Sequence, residues 1–126
     1  MSTVLVVDDE SEIRHIIRLA LARINVTVTE AQTAEQALTI AFASPPPDAI
    51  ITDIHLPFMD GLQLVQKIHQ THANIPIIFV SAASEIMPIG VNPEKISILE
   101  KPFKLAKLQS LVQDVLAASV ESTDRA

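Results

Sequence analysis

The stretch Val4-Leu5-Val6-Val7-Asp8-Asp9 decides the fold, because it joins a short apolar strand directly to a pair of carboxylates. Four apolar residues in a row, without polar alternation, are typical of a strand covered by helices on both faces of a sheet. Similar apolar runs lie at residues 49–51 and 75–80. We predict that these three segments form the interior strands of a parallel sheet.

Segments with helical spacing alternate with these runs, as expected for repeated βα units. A second helix is predicted to open at Thr33, with Gln36 completing a capping box, and a third from about Gly61 with Asp60 as its N-cap. The last helix is predicted over residues 104–118, with Leu105 on its buried side. The apolar stripe of the first helix consists of Ile13, Ile16, Ile17, Ala20 and Leu21.

Two further strands are predicted at residues 26–29 and 96–99, within the stretches 26–29 and 94–100 where apolar and polar residues alternate. Such alternation is typical of strands with one solvated face, which places these two at the edges of the sheet. Five parallel strands with the second and fifth outside fit the flavodoxin-like, doubly wound α/β fold with strand order 2-1-3-4-5.

The chain is 126 residues long, which corresponds to one domain. With 48% hydrophobic residues it has enough apolar material for a core, and disorder is excluded as its main state. We expect residues 1–120 to form the domain and residues 121–126 to form a polar, frayed tail.

Composition excludes several classes of function. The net charge of −6 has the wrong sign for direct binding to nucleic acid. The absence of cysteine excludes disulfides and thiolate metal sites, and two glycines are too few for a Walker or dinucleotide-binding loop. Neither a secretory signal nor an apolar run long enough to insert into a membrane is present, so we expect a cytoplasmic protein.

Polar residues follow the predicted strands, where open parallel sheets bind their ligands. The first strand is followed by Asp8 and Asp9, and the third by Asp53. The fourth is followed by Ser81 and the fifth by Lys101. Three carboxylates and one ammonium group are therefore expected to meet at one edge of the sheet.

The carboxylates need a compensating charge, because two unit charges ~4 Å apart interact by about 4 kcal/mol at an effective dielectric constant near 20. Mg²⁺ suits an all-oxygen site and leaves room for a phosphoryl oxygen. A carboxylate beside Mg²⁺ and Lys101 is a suitable acceptor for phosphoryl transfer, with the Ser81 hydroxyl as a further donor.

Four segments together resemble the receiver domains of two-component response regulators. Residues 4–10 resemble the opening strand with its acidic pair, and residues 53–61 resemble the stretch that begins with the phosphorylated Asp and ends in Met-Asp-Gly. Ser81-Ala82 and Lys101-Pro102-Phe103 match the two remaining motifs of the family. Each motif alone is weak, but the four in order at strand ends are specific.

The resemblance implies a role for each residue of the site. Asp53 would be the phosphoacceptor, and Mg²⁺ would be held by Asp9, Asp53 and the backbone carbonyl of His55, with Asp8 acting through a coordinated water. The groups that would bind the phosphoryl oxygens belong to Ser81 and Lys101.

The resemblance also implies the partners. The donor would be a phosphohistidine on a histidine kinase or a histidine phosphotransfer protein, and the chain would be a phosphoacceptor, not an enzyme, with at most slow self-dephosphorylation. We expect a stand-alone receiver that signals through contacts with a protein target. The alternative is a degenerate receiver that acts as a phosphorylation-independent interaction module.

The sequence departs from the family at two places. Residues 82–95 contain two prolines and a glycine, which predicts a short or irregular fourth helix. Ile98 stands where receivers usually carry Tyr or Phe, so the usual rotamer switch is in doubt.

The same residues allow other interpretations. The acids of residues 8–10 could simply complement a helix N-terminus, and Lys101 could be an ordinary surface lysine. A haloacid-dehalogenase-like phosphohydrolase also uses an Asp at a strand end, but it needs a second Asp where this chain has His55. His69 and His72 are interpreted as exposed polar residues and not as a metal pair.

Overall fold

A computed structural model describes residues 2–81 and 93–125. Strands and helices alternate along the chain, with a short 3₁₀ turn at Pro93–Lys95 before the last strand. The strands are β1 (Thr3–Val7), β2 (Thr27–Ala31), β3 (Ala49–Asp53), β4 (Ile77–Ser81) and β5 (Ile96–Glu100). The helices of the described residues are α1 (Ser11–Ala22), α2 (Ala34–Ala41), α3 (Gly61–Thr71) and α4 (Leu105–Arg125).

The five strands form one parallel sheet in the order β2-β1-β3-β4-β5. This confirms the predicted doubly wound fold and the positions of the two edge strands. β3 and β4 are buried at every residue, whereas β2 and β5 are mostly half-exposed. The difference follows from position, because only the interior strands have helices over both faces.

The alternating direction of side chains along β1 divides the core into two layers. Val4 and Val6 pack with the apolar faces of α1 and α4. Leu5 and Val7 pack on the opposite face of the sheet, with α2 and α3. The sheet is therefore covered by helices on both faces.

Both predicted N-caps are present. The Asp60 side chain accepts a hydrogen bond from the backbone N–H of Gln63, whose side chain accepts one from the Asp60 N–H, which makes a complete capping box. Thr33 caps α2 in the predicted way, but the Gln36 side chain accepts from the Gln32 N–H instead of from Thr33. The capping box predicted for α2 is therefore only half formed.

Two residues predicted to face the core are exposed. Ile16 lies at the margin of the α1 stripe and is 44% exposed, whereas Ile17, Ala20 and Leu21 are buried. Leu105 is 42% exposed because it is the first residue of α4, ahead of the turns that cross the sheet. The buried positions of α4 are Leu108 and Val112.

The last helix is longer than predicted. It continues from Leu105 to Arg125 and therefore extends beyond residue 118 into the segment expected to be a polar tail. The reason is visible in the sequence, because residues 105–125 contain no proline or glycine that would end the helix. The short or irregular fourth helix is predicted within residues 82–95; residues 82–92 lie outside the described part of the chain, and Pro93–Lys95 form the 3₁₀ turn. Within that described part, no helix is both long and apolar enough to cross a bilayer.

Candidate functional site

Asp53 is the last residue of β3, between β1 and β4 at the carboxyl edge of the sheet. Val7 of β1 pairs with Thr52, so Asp8 lies level with Asp53 on one side. Val80 of β4 pairs with Asp53, so Ser81 lies one residue further on the other side. Asp8, Asp53 and Ser81 are all buried, and the parallel register brings them to one place, as predicted.

Both carboxylate oxygens of Asp53 accept hydrogen bonds. The backbone N–H of His55 donates to Oδ1 at 3.0 Å, and the Lys101 ammonium group donates to Oδ2 at 3.0 Å. Lys101 follows β5, and adjacent strands are ~4.8 Å apart, so its side chain must span the width of β4. The length of a lysine side chain is therefore required at this position.

Lys101 is only partly exposed and remains protonated near neutral pH. Burial lowers the pKa of the Lys101 ammonium group, but its hydrogen bond to Asp53 and the negative charges of Asp53, Asp8 and Glu10 outweigh burial. The pKa is therefore raised above its ordinary value of 10.5. The interpretation of Lys101 as an ordinary surface lysine is wrong, because the structure pairs it with Asp53.

The Asp8 carboxylate lies where its ionised form is unfavourable. Its Oδ1 accepts a hydrogen bond from the Glu10 N–H at 2.8 Å. Burial is the largest influence and raises the pKa of Asp8 above its ordinary 3.8. The hydrogen bond from Glu10 and the positive charge of Lys101 lower this pKa, whereas the negative charges of Asp53 and Asp9 raise it further. The ionised carboxylate is therefore destabilised where it lies.

The residues present fit a divalent cation with oxygen ligands. Carboxylate oxygens of Asp8, Asp9 and Glu10 lie within 4.8 Å of one another. Asp8 is buried and Asp9 is exposed, so the cluster opens to solvent on one side. An all-carboxylate, partly solvated donor set suits Mg²⁺, which retains several waters. Glu10 was not predicted as a ligand, although its position next to Asp8-Asp9 offered the signal.

Gly61 allows the start of α3 to approach the backbone of Asp53 closely, a role that the sequence analysis did not predict. A Cβ atom on Gly61 would overlap the carbonyl oxygen of Asp53 and would lie 3.1 Å from Cα of Ile54. The Gly61 N–H also donates to the Ile54 carbonyl at 2.7 Å. The start of α3 therefore touches the main chain of Asp53 directly. The signal was available, because the chain contains only two glycines.

Arg14 of α1 is a second residue that the sequence did not reveal. Its Nη1 donates to the carbonyl oxygen of Asp8 at 2.7 Å, and its Nε donates to Glu30 of β2 at 3.0 Å. Arg18 lies 3.5 Å from the other oxygen of Glu30. A network of charged groups thus connects α1 and β2 to the main chain of the acidic site.

The histidines differ from one another. The side chain of His55 is exposed beside the site, while its backbone binds Asp53. His69 is buried, and its Nε2 is 2.9 Å from the carbonyl oxygen of Ile75, so the prediction that it is exposed is wrong. Burial is possible because the ring finds a backbone partner six residues further along the chain. His72 packs its ring against Phe42, with centroids 5.6 Å apart.

The fold and the acidic edge of the sheet together define the class of receiver domains. The chain matches the family model of the response regulator receiver domain over residues 4–113. It therefore belongs to that family, the receiver domains of two-component response regulators.

Similar proteins include full regulators. The chain is 34% identical over 116 residues to the DNA-binding transcriptional regulator NtrC of Salmonella typhimurium, covering 90% of this chain and 24% of the relative. It is 36% identical over 120 residues to the KDP operon transcriptional regulatory protein KdpE of Escherichia coli, covering 92% and 52%. The chain thus spans about a quarter to a half of the length of these relatives.

Solved structures agree with the fold. A putative response regulator from Chloroflexus aurantiacus superimposes with a TM-score of 0.79 at 30% identity, covering 92% of this chain and 98% of that one. NtrX from Brucella abortus superimposes with a TM-score of 0.86 at 27% identity, covering 98% of this chain and 29% of that one.

Proposed function

We propose that this receiver domain accepts a phosphoryl group on Asp53 from a phosphohistidine, in a reaction that requires Mg²⁺. The observation that carries the proposal is the setting of Asp53. Its carboxylate is buried at the end of β3, is bound by Lys101 at 3.0 Å, and lies beside the destabilised charge of Asp8.

In the proposed transfer, a carboxylate oxygen of Asp53 attacks the phosphorus atom while the bond between phosphorus and the donor imidazole nitrogen breaks. The product is an acyl phosphate, and the imidazole leaves with the electron pair of the broken bond. Lys101 is within reach of the phosphoryl oxygens because it already binds Asp53. The His55 N–H orients the carboxylate through Oδ1, and the Ser81 hydroxyl is a candidate donor to the phosphoryl group.

The family implies Mg²⁺, and the residues proposed to hold it are Asp9, Asp53 and the backbone carbonyl of His55, with Asp8 acting through water. When bound, the cation neutralises charge on the transferring oxygens. The chain's own contribution is to hold the carboxylates of Asp8, Asp9 and Glu10 close together, partly out of water, and to bind Asp53 through Lys101.

The proposed donors are a histidine kinase or a histidine phosphotransfer protein, and the proposed output is altered binding to a protein target. This proposal treats the chain as cytoplasmic, which suits a sequence without cysteine. Direct binding to nucleic acid is not proposed, because the net charge is −6.

The test uses a small phosphodonor, such as acetyl phosphate or phosphoramidate, with and without Mg²⁺. Wild-type protein is expected to gain one phosphoryl group only when Mg²⁺ is present, as measured by intact mass. Asp53→Asn is expected to gain none. Beryllofluoride, a mimic of the acyl phosphate, should shift the amide resonances around position 53 in the wild type and not in Asp53→Asn.

Asp60→Asn is the matched control, because it removes the next acid of the same loop while asparagine can still cap α3. This variant should be phosphorylated like the wild type. Phosphorylation that persists in Asp53→Asn would refute the assignment of Asp53. A wild type that responds to neither reagent would favour the phosphorylation-independent interaction module.

A further inference from the structure

Arg14 takes no part in the proposed transfer, yet its side chain is largely buried and binds two partners. Its side chain is only 14% exposed, compared with 49% for Arg18 one turn later. One guanidinium nitrogen binds the Glu30 carboxylate and another binds the Asp8 carbonyl oxygen. Because one planar guanidinium group binds both partners, it restricts the positions of both.

The contact with Asp8 matters because of where that carbonyl lies. It belongs to the planar peptide group that joins Asp8 to Asp9, so fixing it sets the direction in which the chain reaches Asp9. The Asp8 N–H is bound to the Ala31 carbonyl at 3.2 Å, and its side chain to the Glu10 N–H at 2.8 Å. The bond from Arg14, at 2.7 Å, is the third restraint on Asp8 and is the shortest of the three.

The charge of Arg14 does not explain its position. A guanidinium group near a cation site repels the cation, but here Glu30 pairs with it at 3.0 Å and offsets its charge. Removing Arg14 alone would leave Glu30 with Arg18 as its remaining partner, at 3.5 Å, and would make the neighbourhood more negative by one charge, which would favour cation binding. An electrostatic role and a positioning role therefore predict effects of opposite sign.

We infer that Arg14 is a positioning residue for the divalent-cation site: through Asp8 and with Glu30 as its anchor, it holds the acidic pair in the arrangement that binds Mg²⁺. The inference rests on the proposed function, which supplies the cation. Partners that orient metal ligands from outside the first shell typically change metal affinity by roughly 10- to 100-fold when they are removed.

The experiment measures the Mg²⁺ dissociation constant by amide NMR titration or calorimetry, because a chain without Trp or Tyr offers no intrinsic fluorescence probe. The main variant combines Arg14→Met with Glu30→Gln, which keeps the net charge unchanged. We expect its dissociation constant to rise about tenfold. Arg18→Met, which removes the other partner of Glu30 without touching Asp8, should stay within about twofold of the wild type.

Arg14→Lys provides a second test of the inference if the double variant does not fold. Lysine keeps the positive charge for Glu30 but lacks the rigid fork that also reaches the Asp8 carbonyl, so we expect weaker Mg²⁺ binding here too. Unchanged or tighter binding in the charge-matched variant, or in Arg14→Lys, overturns the inference. A wild type that does not bind Mg²⁺ would instead overturn the proposed function, so the two failures are distinguishable.

Discussion

Replacing Gly61 with alanine is expected to damage both the stability of the domain and its site. The new Cβ would overlap the Asp53 carbonyl oxygen and would crowd the Asp53 carbonyl carbon at 3.0 Å and Cα of Ile54 at 3.1 Å. All three are backbone atoms, so no side chain can rotate to make room. The start of α3 and the end of β3 must move apart instead.

The expected loss can be estimated from the two effects that oppose each other. Overpacking of a well-packed region typically costs about 1–3 kcal/mol. Alanine recovers up to about 1 kcal/mol of helix propensity relative to glycine, and less at the first helical residue. We therefore expect Gly61→Ala to lower the free energy of unfolding by about 1–2 kcal/mol, a sizeable part of the ~5–15 kcal/mol typical of a domain.

The assay is urea unfolding followed by circular dichroism. With a slope of ~2 kcal/mol per molar urea, the midpoint should fall by about 0.5–1 M while the slope stays constant. The beryllofluoride response should weaken as well, because the displaced atoms belong to Asp53. Gln70→Ala, on an exposed position of the same helix, should change neither quantity. A Gly61→Ala protein with wild-type stability and an intact response would refute the close-contact argument.

Two further variants test the local energetics. Asp8→Asn should raise the free energy of unfolding in the absence of divalent cations, because burial raises the pKa of Asp8 and the amide oxygen can still accept the bond from Glu10. Since the pKa of Asp8 is raised in the folded state, the wild type recovers stability as the pH falls through that raised pKa toward the ordinary 3.8. The difference in free energy of unfolding between Asp8→Asn and the wild type, measured by urea unfolding from pH 7 downward, should therefore shrink. A difference that does not change with pH would contradict this reasoning. Phe58→Gly should also stabilise the domain, by about 0.5–1 kcal/mol, because Phe58 is 96% exposed and has a φ of 69°, which glycine adopts without penalty. A lower urea midpoint for this variant would contradict the prediction and would mean that the Phe58 ring makes stabilising contacts.

The sequence predicted those parts of the site that depend on strand ends alone. Asp8, Asp53 and Ser81 follow or end buried strands, and the parallel register then brings them together. Lys101 could be included because its motif and its place after an edge strand were both visible. The N-cap role of Asp60 was predicted from local chemistry, and the structure confirms it. Local pattern and strand order were sufficient for these residues.

The functional residues that the sequence did not reveal depend on contacts between segments that are distant or separated by a loop. The local sequence pattern does not determine how such segments pack. Arg14 meets Glu30 only because α1 packs beside β2, 16 residues further along the chain. His69 is buried because its ring reaches the Ile75 carbonyl, which depends on how the loop after α3 turns. The role of Gly61 depends on the distance between α3 and β3, which no sequence period encodes.

The electrostatics of the site explain why its own stability can report on ligand binding. Among the described residues, Asp53 is paired with Lys101, whereas Arg14 is paired with Glu30 and reaches Asp8 only through its carbonyl. Within the part of the chain that the structure describes, the Asp8 carboxylate accepts a backbone hydrogen bond but forms no ion pair. Burial and the neighbouring acids raise its pKa, and the more distant charge of Lys101 only partly offsets them.

A cation that binds only the folded chain relieves this repulsion and stabilises the domain, by about 2.7 kcal/mol when its concentration is 100 times its dissociation constant. The increase in stability with Mg²⁺ should therefore be large in the wild type and much smaller in Asp8→Asn, even though the variant begins as the more stable protein. If the acids were merely solvated at a helix N-terminus, Asp8→Asn would neither raise the stability without Mg²⁺ nor reduce the increase that Mg²⁺ produces. A variant that is more stable without Mg²⁺ but gains less from it therefore distinguishes a cation site from surface charge.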